Sequence, residues 1–319
     1  LEPEPFLYED KEIPFGADIL FCVDAVRGLT VGCEICEDIW VPESPAAAHT
    51  LAGATVIVNL SASNVTVGKD AYREMLVKSA SARQIAAYIY TSAGEGESTQ
   101  DLVFGGHNII AENGTVLAQA KRFETGAIYA DLDIHRLSHE RRRMNTYQGE
   151  NLREHLILPV HMEEEETLLE RRFSARPFVP DQAQEREKRC DEILSIQSFG
   201  LKKRYEHTGC QSAVLGISGG LDSTLALLVT VHAFDMLGLS RDKITSVTMP
   251  CFGTTDRTYD NACRLARLLG TTLREVDIKE AVNVHFRDIG QSSDCHDVTY
   301  ENGQARERTQ VLMDIANQT

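Results

Sequence analysis

Ser212-Ala-Val-Leu-Gly-Ile-Ser-Gly-Gly-Leu-Asp-Ser223 holds the fold of this chain in small compass. Residues 212–217 are a short apolar run, which reads as a buried strand. The glycine-rich turn Ser218-Gly219-Gly220-Leu221-Asp222-Ser223 follows it. Residues 222–237 then read as an apolar helix. Downstream the alternation repeats. Residues 243–249 read as a strand, and 254–269 as a helix with Thr255 or Asp256 near its cap and Gly270 just past its end. Residues 272–278 read as a third strand and 279–288 as a third helix. The order β-α-β-α-β predicts a doubly wound parallel α/β sheet.

Upstream, residues 29–35 and 56–60 are β-rich runs bounded by turn residues. Residues 43–52 look helical. Residues 69–87 form a long helical stretch, with Met75, Leu76, Ala80, Ile85 and Ala86 at apolar positions. Residues 88–91 read as a buried strand. The strands 107–111 and 115–118 flank Asn113-Gly114, a hairpin signal. Residues 127–132 read as one more strand. This is a layered α/β domain ending near residue 145. The next stretch carries an acidic run at 163–166 and the dipeptides Arg176-Pro177 and Val179-Pro180, and reads as a connection. The expected organisation is a first domain over 1–145, a linker over 146–190 and a second domain over 191–319.

The 319 residues are 42% hydrophobic and 25% charged, a balance that suits two globular domains. The net charge of −16 argues against a general nucleic-acid or anionic-membrane partner. No apolar run is long enough to span a membrane. Eight cysteines are scattered through the chain without a secretory signal, so reduced thiols in a cytoplasm are expected, and the sequons at Asn64 and Asn113 carry no weight. Cys33-Glu-Ile-Cys36 has CxxC spacing. It lacks both a thioredoxin-like context and a second ligand pair. The start at Leu1 rather than Met leads us to expect a fragment.

The turn at 218–223 lies where parallel sheets bind ligands, outside the carboxyl end of a strand and at a helix N-terminus with unpaired amides. Gly219 and Gly220 allow close approach of the backbone to phosphate oxygens, and Ser218 and Ser223 add hydroxyls. Asp222 would repel phosphate directly, so Mg²⁺ between them is expected. A tight turn with no ligand is the plain alternative. The hexapeptide resembles the pyrophosphate loop of N-type ATP pyrophosphatases, unlike the lysine-bearing loop of other ATPases. The resemblance implies ATP on Gly216, Ile217, Ser218, Gly219, Gly220, Leu221, Asp222 and Ser223, with Asp222 toward Mg²⁺.

Cys36 stands at the end of a predicted strand. A free cysteine is most often a small buried hydrophobe. Its context, Ile35-Cys36-Glu37-Asp38-Ile39-Trp40, resembles the nucleophile turn of nitrilase-superfamily amidases, which use a cysteine nucleophile, a glutamate base and a lysine. Asn59-Leu-Ser-Ala-Ser-Asn64 and Gly68-Lys69 resemble that family's substrate segment. The match assigns Ser63 and Lys69 to glutamine, Lys69 pairing with its carboxylate. Read alone, Ser63 is a turn residue and Lys69 a surface charge.

An amidase domain followed by an adenylating domain resembles the glutamine-dependent NAD⁺ synthetase family over essentially the whole chain. Ser92-Ala-Gly-Glu-Gly-Glu-Ser-Thr99, Gly105-Gly-His-Asn108, Met249-Pro-Cys-Phe-Gly-Thr-Thr255 and Glu301-Asn-Gly-Gln-Ala-Arg-Glu-Arg-Thr309 support it. Arg306 matches a position that contacts deamido-NAD⁺; otherwise it is a surface arginine paired with glutamate. The resemblance implies a partial nitrilase-like α-β-β-α layered domain ahead of a Rossmann-like ATP pyrophosphatase domain. It implies glutamine, ATP and deamido-NAD⁺ as substrates, Mg²⁺ as cofactor, and a homo-oligomer. The family's base glutamate and lysine are expected before Leu1, since Lys11 and Glu12 lack the matching context and Glu37 is not the missing base. More synthetase contacts are expected past Thr319, so this chain alone is expected to be inactive. Two other readings stand beside this one: an amidotransferase with another acceptor, and a non-catalytic nucleotide-binding protein.

Overall fold

The computed structural model of the chain describes residues 4–97, 101–147, 154–166, 168–252, 256–292 and 294–319. The chain divides into two compact units, Leu1–Phe173 and Ser174–Thr319.

In the first unit, β1 (Glu4–Tyr8) and β2 (Lys11–Phe15) pair as an antiparallel ribbon. The main sheet comprises β3 (Ile19–Val23), β4 (Thr30–Ile35), β5 (Val56–Ser61), β6 (Ala87–Ser92), β7 (Ile109–Glu112), β8 (Thr115–Gln119) and β9 (Leu156–Val160). Their order is β8-β7-β6-β5-β4-β3-β9. The centre, β4 to β6, is parallel; β7 and β8 close one flank as an antiparallel hairpin. On the other flank β3 runs antiparallel to β4 and parallel to β9. Strand alternation sends neighbouring side chains to opposite faces. Ile57 packs with Ala46 of α1 (Pro45–Leu51) and Val77 of α2 (Lys69–Gln84). Val56 and Val58 pack with Ile134 and Leu137 of α3 (Ile134–Arg143) on the reverse face.

Several boundaries differ from expectation. Residues 127–132 are not a strand; they run irregularly into Asp133, whose carboxylate accepts the Arg136 N–H at 2.9 Å and caps α3. The helix expected over 69–87 stops at Gln84, because Ile85 is left-handed (φ +47°) and the chain enters β6 two residues later. Within the stretch assigned as a connection, 146–190, β9 joins the first sheet and a long helix, α4 (Ala183–Thr208), begins.

The second unit continues with β10 (Ala213–Gly216), α5 (Leu221–Leu237), β11 (Ile244–Thr248), α6 (Asp256–Leu269), β12 (Thr272–Glu275), α7 (Lys279–Ile289) and α8 (Val298–Gln318). The strands are parallel in the order β10-β11-β12. Leu215 and Ile217 pack against Leu227 and Phe234 of α5 and Ala262 and Ala266 of α6. Val214 and Val247 pack against Val282 and Phe286 of α7 and Ile315 of α8. Helices therefore cover both faces, the doubly wound α/β arrangement. The readings that fell on Ser98-Thr99 and on Gly253-Thr-Thr255 lie outside the described residues. Among the described residues no helix is long and apolar enough to cross a membrane.

Candidate functional site

The turn after β10 is shaped by one residue that must lack a side chain. Gly219 has φ +80°, and a Cβ there would sit 2.0 Å from the Thr258 carbonyl oxygen of α6. The hydroxyls on either side hold the turn closed. Ser223 Oγ accepts the Ser218 N–H at 3.2 Å, Ser218 Oγ accepts the Gly220 N–H at 3.2 Å, and the two hydroxyls lie 3.1 Å apart. Helix α5 starts at Gly220 with no side-chain cap, so its first amides are left to water or an anion. Asp222 is exposed in that first turn.

Beside the turn lies a cavity of about 640 Å³, in the range of small-molecule sites. Gly216, Ile217, Ser218 and Gly220 line it; Gly219, Leu221, Asp222 and Ser223 continue the turn without lining it. Thr248 and Met249 from β11 and its exit, Thr258 from α6, and Glu301, Gln304, Arg308 and Leu312 from α8 complete the wall. Arg306 is not among them. It lies with Asn302, Thr309 and Met313 on another face of α8. Residues 301, 304, 308 and 312 follow helical spacing, and 306 is roughly 200° round the helix from 308. Counting that period along the helix would have separated the two arginines.

In the first unit, Cys36 follows β4 and opens a short 3-10 turn, Cys36–Trp40. Its φ is +51°, a left-handed conformation uncommon for a residue with a side chain. The Ile35 N–H donates to Asp38 Oδ2 at 2.8 Å, which braces the turn from its own sequence. Asn59 of β5 braces it from the neighbouring strand: Oδ1 accepts the Cys36 N–H at 3.2 Å, and Nδ2 reaches the Cys36 carbonyl at 3.4 Å. Beneath lies Glu34, a carboxylate 2% exposed. It accepts from Asn59 Nδ2 at 3.3 Å, the Tyr88 hydroxyl, Ser44 Oγ at 2.5 Å and the Ala46 N–H at 3.0 Å. Burial, then the Glu34 charge, hold the Tyr88 proton on well above the ordinary phenol range. Cys33, the other CxxC member, is half-buried in β4, where burial pushes its thiol up; both cysteines are free.

The expected substrate residues fall on the loop into α2 and its first turn. Lys69 Nζ donates to Asn64 Oδ1 at 2.9 Å and lies 5.5 Å from the centre of the Trp40 ring, so it meets the turn that Cys36 opens. Ser63 is buried, and its Oγ accepts from Arg73 Nη2 at 3.1 Å. Arg73, itself 2% exposed, also lies 3.1 Å from His107 Nδ1. Sequence reading assigned no role to Glu34, Arg73 or Tyr88, and quoted Asn59 and His107 only within motifs. The available signal was Glu34 itself, a charge at an inward strand position.

The carbon-nitrogen hydrolase family model matches residues 2–142, and the NAD synthase model matches residues 193–319. The glutamine-dependent NAD(+) synthetase of Mycobacterium leprae (strain TN) is 42% identical, over 97% of this chain and 48% of its own length. That of Aquifex aeolicus (strain VF5) is 30% identical, over 92% of this chain and 49% of its own. A solved glutamine-dependent NAD+ synthetase from Acinetobacter baumannii is 23% identical over 92% of this chain and 47% of its own, with a TM-score of 0.38. The chain thus spans about half the length of the curated relatives it matches. Its first part belongs to the carbon-nitrogen hydrolase family and its last part to the NAD synthase family, and across both it is a homologue of the glutamine-dependent NAD(+) synthetases.

Proposed function

We propose that this chain serves an enzyme that converts deamido-NAD⁺ to NAD⁺ with ATP, using glutamine as the nitrogen donor. The observation that carries the reading is the joint presence of two features in one chain. One is a left-handed cysteine turn braced by a buried polar cluster; the other is a glycine turn that opens on a cavity at the end of a parallel strand.

In the first half-reaction the Cys36 thiolate attacks the side-chain carbonyl of glutamine. The C–N bond breaks as the leaving nitrogen takes the proton the Cys36 thiol gave up, ammonia leaves, and water then hydrolyses the thioester to glutamate and the free thiol. Lys69 and Ser63 hold the substrate, Lys69 by charge and Ser63 by its hydroxyl. In the second, ATP lies on Gly216 to Ser223, with phosphate oxygens on the uncapped amides of α5. The nicotinate carboxylate attacks the α-phosphorus and pyrophosphate leaves. Ammonia then attacks the acyl carbon and AMP leaves. Asp222 is an exposed oxygen donor one residue into α5, and fits a hard cation. Mg²⁺ bound there would offset the phosphate charge. Arg308 faces the nucleotide cavity, and Arg306, on its other helix face, is assigned to the dinucleotide. A reduced thiol nucleophile and soluble nucleotide substrates suit the cytoplasm, and we assign a homo-oligomer.

The test is NAD⁺ formation by the intact protein, wild type beside Cys36→Ala, with glutamine and separately with ammonium. The variant should lose the glutamine-driven reaction and keep the ammonium-driven one. Retained glutamine-driven activity would remove Cys36 from its role. No NAD⁺ from either nitrogen source in wild type would move the acceptor to another carboxylate.

A further inference from the structure

We propose that Glu34 is a positioning residue for Cys36, acting through Asn59 to hold the nucleophile turn in its left-handed conformation; this rests on the reading of Cys36 as the glutaminase nucleophile. Three observations carry it. The first is that one side-chain amide spans one residue. Asn59 meets the N–H of Cys36 with Oδ1 and its carbonyl with Nδ2, at 3.2 and 3.4 Å. Both peptide groups that flank the Cys36 Cα are tied to the same rigid plane, which offsets the cost of φ +51°.

The second is that the amide works in only one orientation, and Glu34 selects it. Asn59 must show its oxygen to the Cys36 N–H and to the Ser61 hydroxyl, at 3.2 and 2.7 Å. Its nitrogen then has to face acceptors, and Glu34 Oε1 supplies one at 3.3 Å beside the Tyr88 hydroxyl at 3.2 Å, a hydroxyl whose own proton goes to Glu34 and so leaves its oxygen to accept. A donor in that place would favour the flipped amide, which would set an NH₂ against the Cys36 N–H.

The third is that Glu34 is itself fixed. Asn59 and the Tyr88 hydroxyl meet one oxygen, while Ser44 Oγ and the Ala46 N–H meet the other. Four donors use the full accepting capacity of a carboxylate, so a buried charge is satisfied without a cation. Glu34 thus links β4, α1, β5 and β6 at the foot of the turn. It touches no reacting atom in this arrangement.

The experiment uses the intact protein and both nitrogen sources. Glu34→Gln should lower the glutamine-driven kcat by tenfold or more. KM for glutamine should stay within about threefold, because Ser63 and Lys69 are untouched. The ammonium-driven rate should be unchanged. Tyr88→Phe removes one donor from the same oxygen and an acceptor 3.2 Å from Asn59 Nδ2, and should act in the same direction, at about threefold. Thr55→Val breaks a different hydrogen bond in this sheet, Thr55 Oγ1 to the Gly28 carbonyl at 2.7 Å, and should lower Tm while keeping kcat. The proposal is overturned if Glu34→Gln and Tyr88→Phe both keep the glutamine-driven kcat. It is equally overturned if the two reactions fall together, which would mark Glu34 as structural only. Cys36→Ala, run beside them, separates the levels: if it keeps glutamine-driven activity, the reading of the nucleophile has failed first.

Discussion

Gly219 and the Thr258 carbonyl are in such close apposition that a β-carbon on the glycine would lie 2.0 Å from that oxygen. The same residue has φ +80°. Gly219→Ala therefore meets two separate penalties, a left-handed alanine and a backbone clash that no rotamer relieves. We expect a loss of at least about 2 kcal/mol in urea unfolding, and loss of ATP binding by calorimetry. Gly220→Ala is the contrast. Its new Cβ would sit 3.3 Å from Ser218 Oγ, a side-chain hydroxyl that need give only a few tenths of an ångström, so its stability should change by less than about 1 kcal/mol.

Gly32 performs the equivalent service in β4. A Cβ there would lie 2.9 Å from His49 Cβ, and His49 is wholly buried in α1. Because the clash is with the root of the side chain, His49 cannot yield by rotation. Gly32→Ala should force α1 away from β4 at a cost of about 1–3 kcal/mol in denaturant unfolding.

These glycines mark the limit of what the residues disclose by pattern. The parallel strands at 56–61 and 87–92 are legible because β-branched and aromatic residues run together there, and Asn113-Gly114 turns as its type demands, with φ +44° and +83°. Strand β9 is hidden because Leu-Ile-Leu-Pro-Val holds a proline, tolerated on a strand that, among the described residues, lies at the sheet edge and pairs with β3. The ribbon β1–β2 carries Pro5 and Pro14 and turns at Glu9-Asp10 rather than at a glycine. Helix α4 fully buries only Ser198, and Ile193, Ile196 and Phe199 are exposed on it, so its apolar residues do not mark a single face. At the sites, Cys36 and the glycine turn are local motifs and visible as such. Glu34, Asn59, Tyr88 and Arg73 act across strands, and sequence spacing does not report which side chains meet.

Arg141 gathers three backbone carbonyls. Its guanidinium donates to Ile85 at 3.0 Å, Ala54 at 2.7 Å and Gln84 at 3.2 Å, and it lies 5.2 Å from the Tyr147 ring centre. Those carbonyls belong to the end of α2 and the turn before β5, and the Tyr147 hydroxyl also donates to that of Gln84 at 3.2 Å. A lysine has one nitrogen and no plane, so it cannot satisfy all three or stack equally well. Arg141→Lys should cost about 1–3 kcal/mol, and Arg141→Met more, read as a lower urea midpoint with unchanged m.

His49 makes the stability of the first unit depend on pH. Its Nε2 lies 3.0 Å from the Cys33 carbonyl, which makes it the protonated nitrogen, and its Nδ1 accepts from His155 Nε2 at 2.9 Å. Burial first, then the His155 ring, hold its pKa below the ordinary 6.5; the hydrogen bond to the Cys33 carbonyl, then Asp18 and Glu34, oppose this more weakly. His107 is shifted the same way, by burial and then by Arg73 and Arg122. The unfolded chain takes up a proton on each ring near pH 6.5, whereas the folded chain does so only at lower pH. Between those values the unfolded state binds more protons, so the stability is fully present above 6.5 and drains away as pH falls below it. Each histidine adds a slope of up to about 1.4 kcal/mol per pH unit in that window. His49→Gln keeps a donor for the Cys33 carbonyl and removes the titration. It should flatten the unfolding free energy between pH 7 and 5 by up to that amount, measured by urea melts at half-unit steps. Identical slopes in the variant and the wild type would mean that His49 binds its proton equally in both states, contrary to its burial against His155.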